Sequence, residues 1–223
     1  MALNMIKSKG TLSDKAYEAL RDAIVSIELK PGEIILEDDL SEKLGISRTP
    51  IRAALQRLSY EGLVGMQGKK TFVTELSADY FLDLYAIRES LEILSAKLAA
   101  ENSNDKELSE LKRIIEKHEE VTQQKPINRR EYLDIDRKYH MFLAKLTKNS
   151  MLEEYIRQIY MSYNRYLNYT NFEGRAMTVI REHEDIYNSI FERDSIRAQS
   201  LMKEHLAGVK ETILISLVKS GRR

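Results

Sequence analysis

Three histidines and an aspartate sit where helical periodicity asks for apolar residues. In the segment 129–148, Asp136 and His140 of "DRKYH" lie one turn apart on the same inward stripe as Tyr132, Tyr139, Leu143 and Leu146. His183 shares a stripe with Ala176, Val179, Ile180, Ile186, Tyr187 and Ile190 in 174–193, and His205 shares one with Ala198, Leu201, Met202, Val209 and Thr212 in 195–218. Burying three imidazoles and a carboxylate without partners costs several kcal/mol. Any one of them alone reads as a hydrogen-bonded core residue. Four on three helices point instead to a divalent cation, because one ion satisfies all of them and the core of a helical bundle is a common place for such a site. Three nitrogens and one oxygen leave positions open for water or a ligand carboxylate, and the set does not separate zinc, nickel, manganese and iron. His118, set among Glu116, Lys117, Glu119 and Glu120, reads as a surface or boundary residue.

A second group suits a different chemistry. "LGISRTPIRAALQRLSYEGLV", residues 44–64, carries Arg48, Arg52 and Arg57 with no acid between Glu42 and Glu61. Arg48, Thr49 and Arg52 fall at the front of an amphipathic helix, where arginine can fork onto guanine or grip phosphate in a major groove. Gly68, Lys69 and Lys70 follow in a turn that would lie along a sugar-phosphate backbone. Solvated arginines on an amphipathic helix are the plainer reading. Acids and bases balance over residues 1–76, so only one face of that region is basic.

These groups need elements to hold them. A helix fits Leu12 to Glu28, a short one Glu37 to Leu44 ended by Gly45, and a third begins after Ser47 as its cap, with Pro50 tolerated in the first turn. Two short apolar pieces, Leu63–Met66 and Thr71–Val73, then read as a hairpin. The order is that of a winged helix-turn-helix. From Ser77 onward the pattern is helical, with segments near 104–123, 129–148, 150–171, 174–193 and 195–218. The first of these later helices repeats Tyr80, Leu84, Ile87, Leu91, Leu94 and Leu98 at coiled-coil spacing. Two domains are expected, 1–76 and 77–223. In the tyrosine-rich segment 150–171, Tyr163 follows Ile156 and Ile159 on the inward side and is a candidate pocket wall.

Composition sets wider limits. The 223 residues carry no formal net charge, three prolines, nine glycines, no tryptophan and no cysteine, which excludes disulfide and thiolate chemistry and suits a mainly α protein. No run approaches the roughly 18 apolar residues of a membrane helix, so a cytoplasmic protein is expected.

"LEDDLSEKLGISRTPIRAALQRLSYEGLV" followed by "GKKTFV" resembles the GntR family of bacterial transcription regulators. The resemblance implies a DNA-binding homodimer reading a short inverted repeat, with Arg48, Thr49, Arg52 and Gly68 making most contacts. Two positions depart from the pattern: Asp38 stands where many relatives carry a phosphate-gripping arginine, and Lys70 where many carry a second wing glycine. "DRKYH", "REHEDIY" and "KEHL" in turn resemble the FCD ligand-binding domain of the FadR-like subfamily, an all-helical bundle of six or seven helices. That resemblance implies a metal on Asp136, His140, His183 and His205 and a small carboxylate effector. It also implies an effector-binding arginine on the first bundle helix, where "YAIRESLE" places Arg88.

The expected function is a ligand-responsive transcription regulator, a repressor, with an effector site at the metal. Two alternatives stand beside it. A metal-dependent hydrolase or lyase would need a general base near the open position, and the inward stripes show no further carboxylate. A DNA-binding protein with a purely structural metal would lack a ligand cavity.

Overall fold

In the computed structural model residues 10–68 and 70–219 are described, and the chain divides between Glu75 and Leu76 into two compact units.

In the N-terminal unit, α1 (Leu12–Val25) starts on a capping box in which the Thr11 amide donates to Asp14 Oδ2 at 2.8 Å and the Asp14 amide to Thr11 Oγ1 at 3.2 Å. The helix ends three residues before the expected Glu28. α2 (Glu37–Leu44) stops at Gly45, which adopts a left-handed φ of 65° that only glycine takes without strain. α3 (Arg48–Tyr60) follows from Ser47 in the cap position, although the Ser47 hydroxyl makes no capping hydrogen bond. Ala16, Tyr17, Leu20 and Ile24 of α1 and Ile51, Ala54, Leu55 and Leu58 of α3 belong to one buried cluster. The hairpin pairs β2 (Val64–Gln67) with β3 (Lys70–Val73), Val64 opposite Val73. A further strand, β1 (Ile34–Ile35), adds to β3 with Ile34 opposite Phe72, giving the order β1-β3-β2. Two residues are too few to show a period of two in sequence.

The C-terminal unit comprises α4 (Ala78–Asn102), α5 (Asp105–Thr122), α6 (Arg129–Leu146), α7 (Ser150–Tyr169), α8 (Ala176–Phe191) and α9 (Ser195–Lys219), with one 3₁₀ turn at Glu173–Arg175. Six α-helices among the described residues agree with the expected bundle. α4 packs against α6, α7, α8 and α9.

The face that α4 buries corrects the coiled-coil reading. Tyr80, Ile87 and Leu94 are 52%, 56% and 40% exposed, while Phe81, Leu84, Tyr85, Arg88, Glu92, Ser95, Ala96, Ala99 and Ala100 are buried. Small side chains at Ser95, Ala96, Ala99 and Ala100 let neighbouring helices approach closely, and Arg88 with Glu92 can be buried because they pair with each other. Leu91 and Leu98 lie between the two faces and pack onto Leu152, Ile156 and Tyr160 of α7. No helix among the described residues is long and apolar enough to cross a membrane.

Gly45 has open space where a Cβ would project, so replacing it isolates the conformational cost of the left-handed turn. Gly45→Ala is expected to destabilise the N-terminal unit by about 1 kcal/mol, read as a shift in its chemical denaturation midpoint with the m-value unchanged.

Candidate metal centre and nucleic-acid interface

Asp136 and His140 on α6, His183 on α8 and His205 on α9 are all buried. Their helical spacing places them inward, as expected, and three of them converge. His140, His183 and His205 bring one ring nitrogen each within 4.8 Å of one another. Asp136 Oδ1 lies 3.9 Å from His183 Nε2, and its carboxylate groups with His183 and His118 rather than with His140 and His205.

The ring nitrogens explain why this cluster suits a cation. His205 Nδ1 is 2.8 Å from Glu182 Oε2, and His140 Nδ1 contacts Glu92 Oε2, so each ring is braced by a carboxylate on one side. Nε2 of His140 and of His205 has no hydrogen-bond partner, nor has either nitrogen of His183, and all are shut off from solvent. Burial, reinforced by the neighbouring imidazoles, holds His183 well below the usual histidine range, and burial also lowers His205 despite the Glu182 contact. A neutral ring keeps a lone pair for a cation. Unpartnered, convergent nitrogens in a dry core, with the His183 and His205 rings held towards the neutral form, fit a borderline divalent ion.

Two carboxylates absent from the sequence reading shape this centre, and Glu92 corrects the statement that the inward stripes hold none. Glu92 on α4 is fully buried, accepts from Arg88 Nε at 2.5 Å and reaches His140. Burial would raise its pKa, but Arg88 and His140 outweigh burial and keep it ionised. Glu182 accepts from Arg175 at 2.7 and 2.8 Å while holding His205. Its neighbours in sequence conceal it: His183 turns into the core, and Glu182 reaches sideways to the ring on α9.

Arg88 is more enclosed than its place beside the expected stripe implied. Its Nη2 donates to Tyr160 Oη at 2.6 Å, its guanidinium lies 4.0 Å over the Tyr163 ring, and its Nη1 is buried without a partner. Tyr163 is fully buried, and burial, against the opposing influence of Arg88, pushes its hydroxyl up to about 12. A cavity of about 40 Å³ is lined by Asp136 together with Tyr132, Phe172, Arg175 and Thr212.

His118 is corrected outright. It is fully buried on α5, its ring tilted against that of Tyr132 with 4.4 Å between ring centres, and burial lowers its pKa to about 4. Leu111, Ile114, Ile115 and Val121 share its buried face, a periodicity masked by the charged residues on either side.

On the N-terminal unit, Arg48, Thr49 and Arg52 project from the exposed start of α3, and Gly68 takes φ 62° in the exposed turn after β2. Lys70 is exposed at the start of β3, whereas Lys69 lies outside the described residues. Both arginines at the front of α3 have acidic partners from α2: Arg48 Nε sits 2.5 Å from Asp38 Oδ1, and Arg52 Nε donates to Glu37 Oε2 at 2.7 Å. Arg57 instead lies 3.6 Å over the Tyr17 ring and pairs with Glu61.

Glu92→Ala should expose how much the bundle relies on this pairing. Removing one partner of a buried ion pair leaves the Arg88 charge uncompensated, and a loss of about 3–5 kcal/mol in unfolding free energy is expected by denaturant titration.

Comparison with known proteins agrees with both units. Residues 12–73 match the family described as bacterial regulatory proteins, gntR family, and residues 83–208 match the FCD domain. The chain is 31% identical over 195 residues to the uncharacterized HTH-type transcriptional regulator YdhC of Bacillus subtilis, covering 85% of each. It is 22% identical to the HTH-type transcriptional repressor RspR of Escherichia coli, covering 91% of this chain and 89% of RspR. Among solved structures, E. coli McbR/YncC superimposes with a TM-score of 0.77 at 21% identity, covering 95% of this chain and 99% of McbR/YncC. With a gntR-type helix-turn-helix joined to an FCD bundle, this chain belongs to the GntR family of bacterial transcription regulators and is not an enzyme.

Proposed function

We propose that the chain is a repressor that binds an inverted-repeat operator as a homodimer and answers to a small carboxylate held at a metal in its C-terminal bundle. The observation that carries this reading is the set of unpartnered, buried imidazole nitrogens of His140, His183 and His205. Asp136 would complete the donor set with a modest movement toward them. A divalent cation bound there would supply a Lewis-acidic position for a carboxylate oxygen.

The residues around the centre suit that role. Arg88 Nη1, buried and without a partner, is a donor for a second ligand oxygen. Tyr163 walls the same side through its ring under the guanidinium. Because Glu92 already neutralises most of the Arg88 charge, the effector competes with an internal carboxylate, which favours a ligand with additional polar groups over a bare small acid. The 40 Å³ cavity beside Asp136 is far smaller than the roughly 300 Å³ of a typical ligand site, so binding requires the bundle to open. An effector that favours the open arrangement is thereby coupled to the state of the protein.

Homodimerisation is supported by the exposed stripe Tyr80, Ile87 and Leu94, spaced by seven residues along α4, which offers an apolar seam to a second copy. RspR, a relative, is named a repressor, and that supports the direction of regulation.

The DNA face carries its own restraint. Asp38 and Glu37 hold the reading arginines in the free protein, and an acid at Asp38 opposes the phosphates. Asp38→Ala is expected to tighten operator binding and to steepen the dependence of log K on log salt by about one phosphate contact, measured by gel shift across a salt series.

The effector reading is tested by titrating carboxylates, including any small molecule that co-purifies, into an operator gel shift with metal present and after chelation. A coupling of about 1–3 kcal/mol predicts a 5- to 150-fold change in operator affinity that chelation abolishes. Operator affinity that stays constant across the whole panel, with and without metal, contradicts the proposal.

A further inference from the structure

Two donor sets in the bundle share His183. One is His140, His183 and His205, and the other is His118, Asp136 and His183, each with its donor atoms within 4.8 Å of one another. The five residues do not form a single set within that limit. Donors on one ion with metal–nitrogen bonds near 2.1 Å stand at most about 4.2 Å apart, so the two sets mark neighbouring positions rather than one enlarged sphere.

The second set has the features of a built site. His118 comes from α5, which contributes nothing to the first set, and it has no solvent exposure. Neither of its ring nitrogens has a hydrogen-bond partner. An imidazole buried in that way is costly unless something else completes it. A hydrogen bond to Asp136 would be the simplest completion, yet the two groups make none. Tyr132, against the His118 ring, fixes its place without offering it a polar atom. Asp136 Oδ1 stands 3.9 Å from His183 Nε2, a separation that a shared ion spans and a hydrogen bond does not.

We propose that His118, Asp136 and His183 form a second cation position beside the three-histidine one, taking the same class of borderline divalent ion. The proposal rests on the metal-centre reading above and adds to it a ligand, His118, and a second seat. Two nitrogens and one carboxylate leave several positions open on such an ion, more than the three-histidine seat completed by Asp136 does. Because both seats draw on His183, they are alternatives for a single ion. Asp136 and Tyr132 also line the small cavity, so the second seat is the one that a ligand entering there meets first.

Cobalt(II) titration of the full-length protein, followed by visible absorption, tests this. The wild type is expected to bind one Co(II) per chain. His140→Gln/His205→Gln should still bind one, about 100-fold more weakly, and adding His118→Gln should remove that residual binding. His118→Gln alone should lower affinity about 10-fold, by analogy with other disturbances of metal ligation, and should change the shape of the cobalt band. If the double variant is folded by circular dichroism but binds no cobalt, or binds it equally without His118, the second seat does not exist. If the double variant fails to fold, His118→Gln alone decides, and an unchanged affinity and band overturn the proposal. A wild type that binds no cobalt overturns the metal centre itself and this inference with it.

Discussion

A bundle core that holds four imidazoles, the Arg88 guanidinium and the carboxylates of Glu92 and Asp136 away from water is stable only if those groups are satisfied. Here they satisfy one another in part. Arg88 gives Glu92 its charge partner, and Glu92 and Glu182 each brace one histidine. What is left over is a surplus of nitrogen lone pairs, on His183 and on the inner sides of His140 and His205, pointing into one volume. That surplus is the constraint on which the rest of the C-terminal unit depends. Glu92 on α4 is buried between Arg88 and the His140 edge of that cluster.

The chains of contact that start at the cluster reach outward in two directions. His140 leads through Glu92 to Arg88, Tyr160 and Tyr163, binding α6 to α4 and α7. His205 leads through Glu182 to Arg175 at the turn before α8, and so to the rim of the small cavity. A change at the centre is therefore felt by most helices of the bundle, as an effector-responsive domain requires. The N-terminal unit pairs charges at its surface instead, where acids of α2 hold the arginines of α3; exposed pairs of this kind are weak.

Much of this was legible in the residues themselves. Asp136, His140, His183 and His205 announce themselves because an ionisable group on an otherwise apolar stripe violates the pattern, and the "SRTPIR" run marks the exposed, arginine-bearing start of α3. What was hidden had a physical reason in each case. Arg88 was a candidate from the start, but Glu92 forms an i, i+4 pair with it, which on most helices lies at the surface; only tertiary packing placed that pair in the core. The leucine-rich stripe of α4 obeyed the heptad period, but period alone cannot say whether the covering partner is the same chain. His118 was masked by charged neighbours, although Leu111, Ile114, Ile115 and Val121 placed it inward. Strand β1 was too short to show a pattern.

The central claim is that the imidazole cluster is completed by a divalent ion. Differential scanning calorimetry of the purified protein, stripped of metal and then titrated with zinc, nickel or manganese, tests it most directly. An ion that binds the folded state alone at about 100 times its Kd adds roughly 2.7 kcal/mol, so the account predicts a melting temperature of the C-terminal unit that climbs with metal concentration and falls back on chelation. A melting temperature indifferent to all three ions, in protein shown to be free of metal, would contradict it.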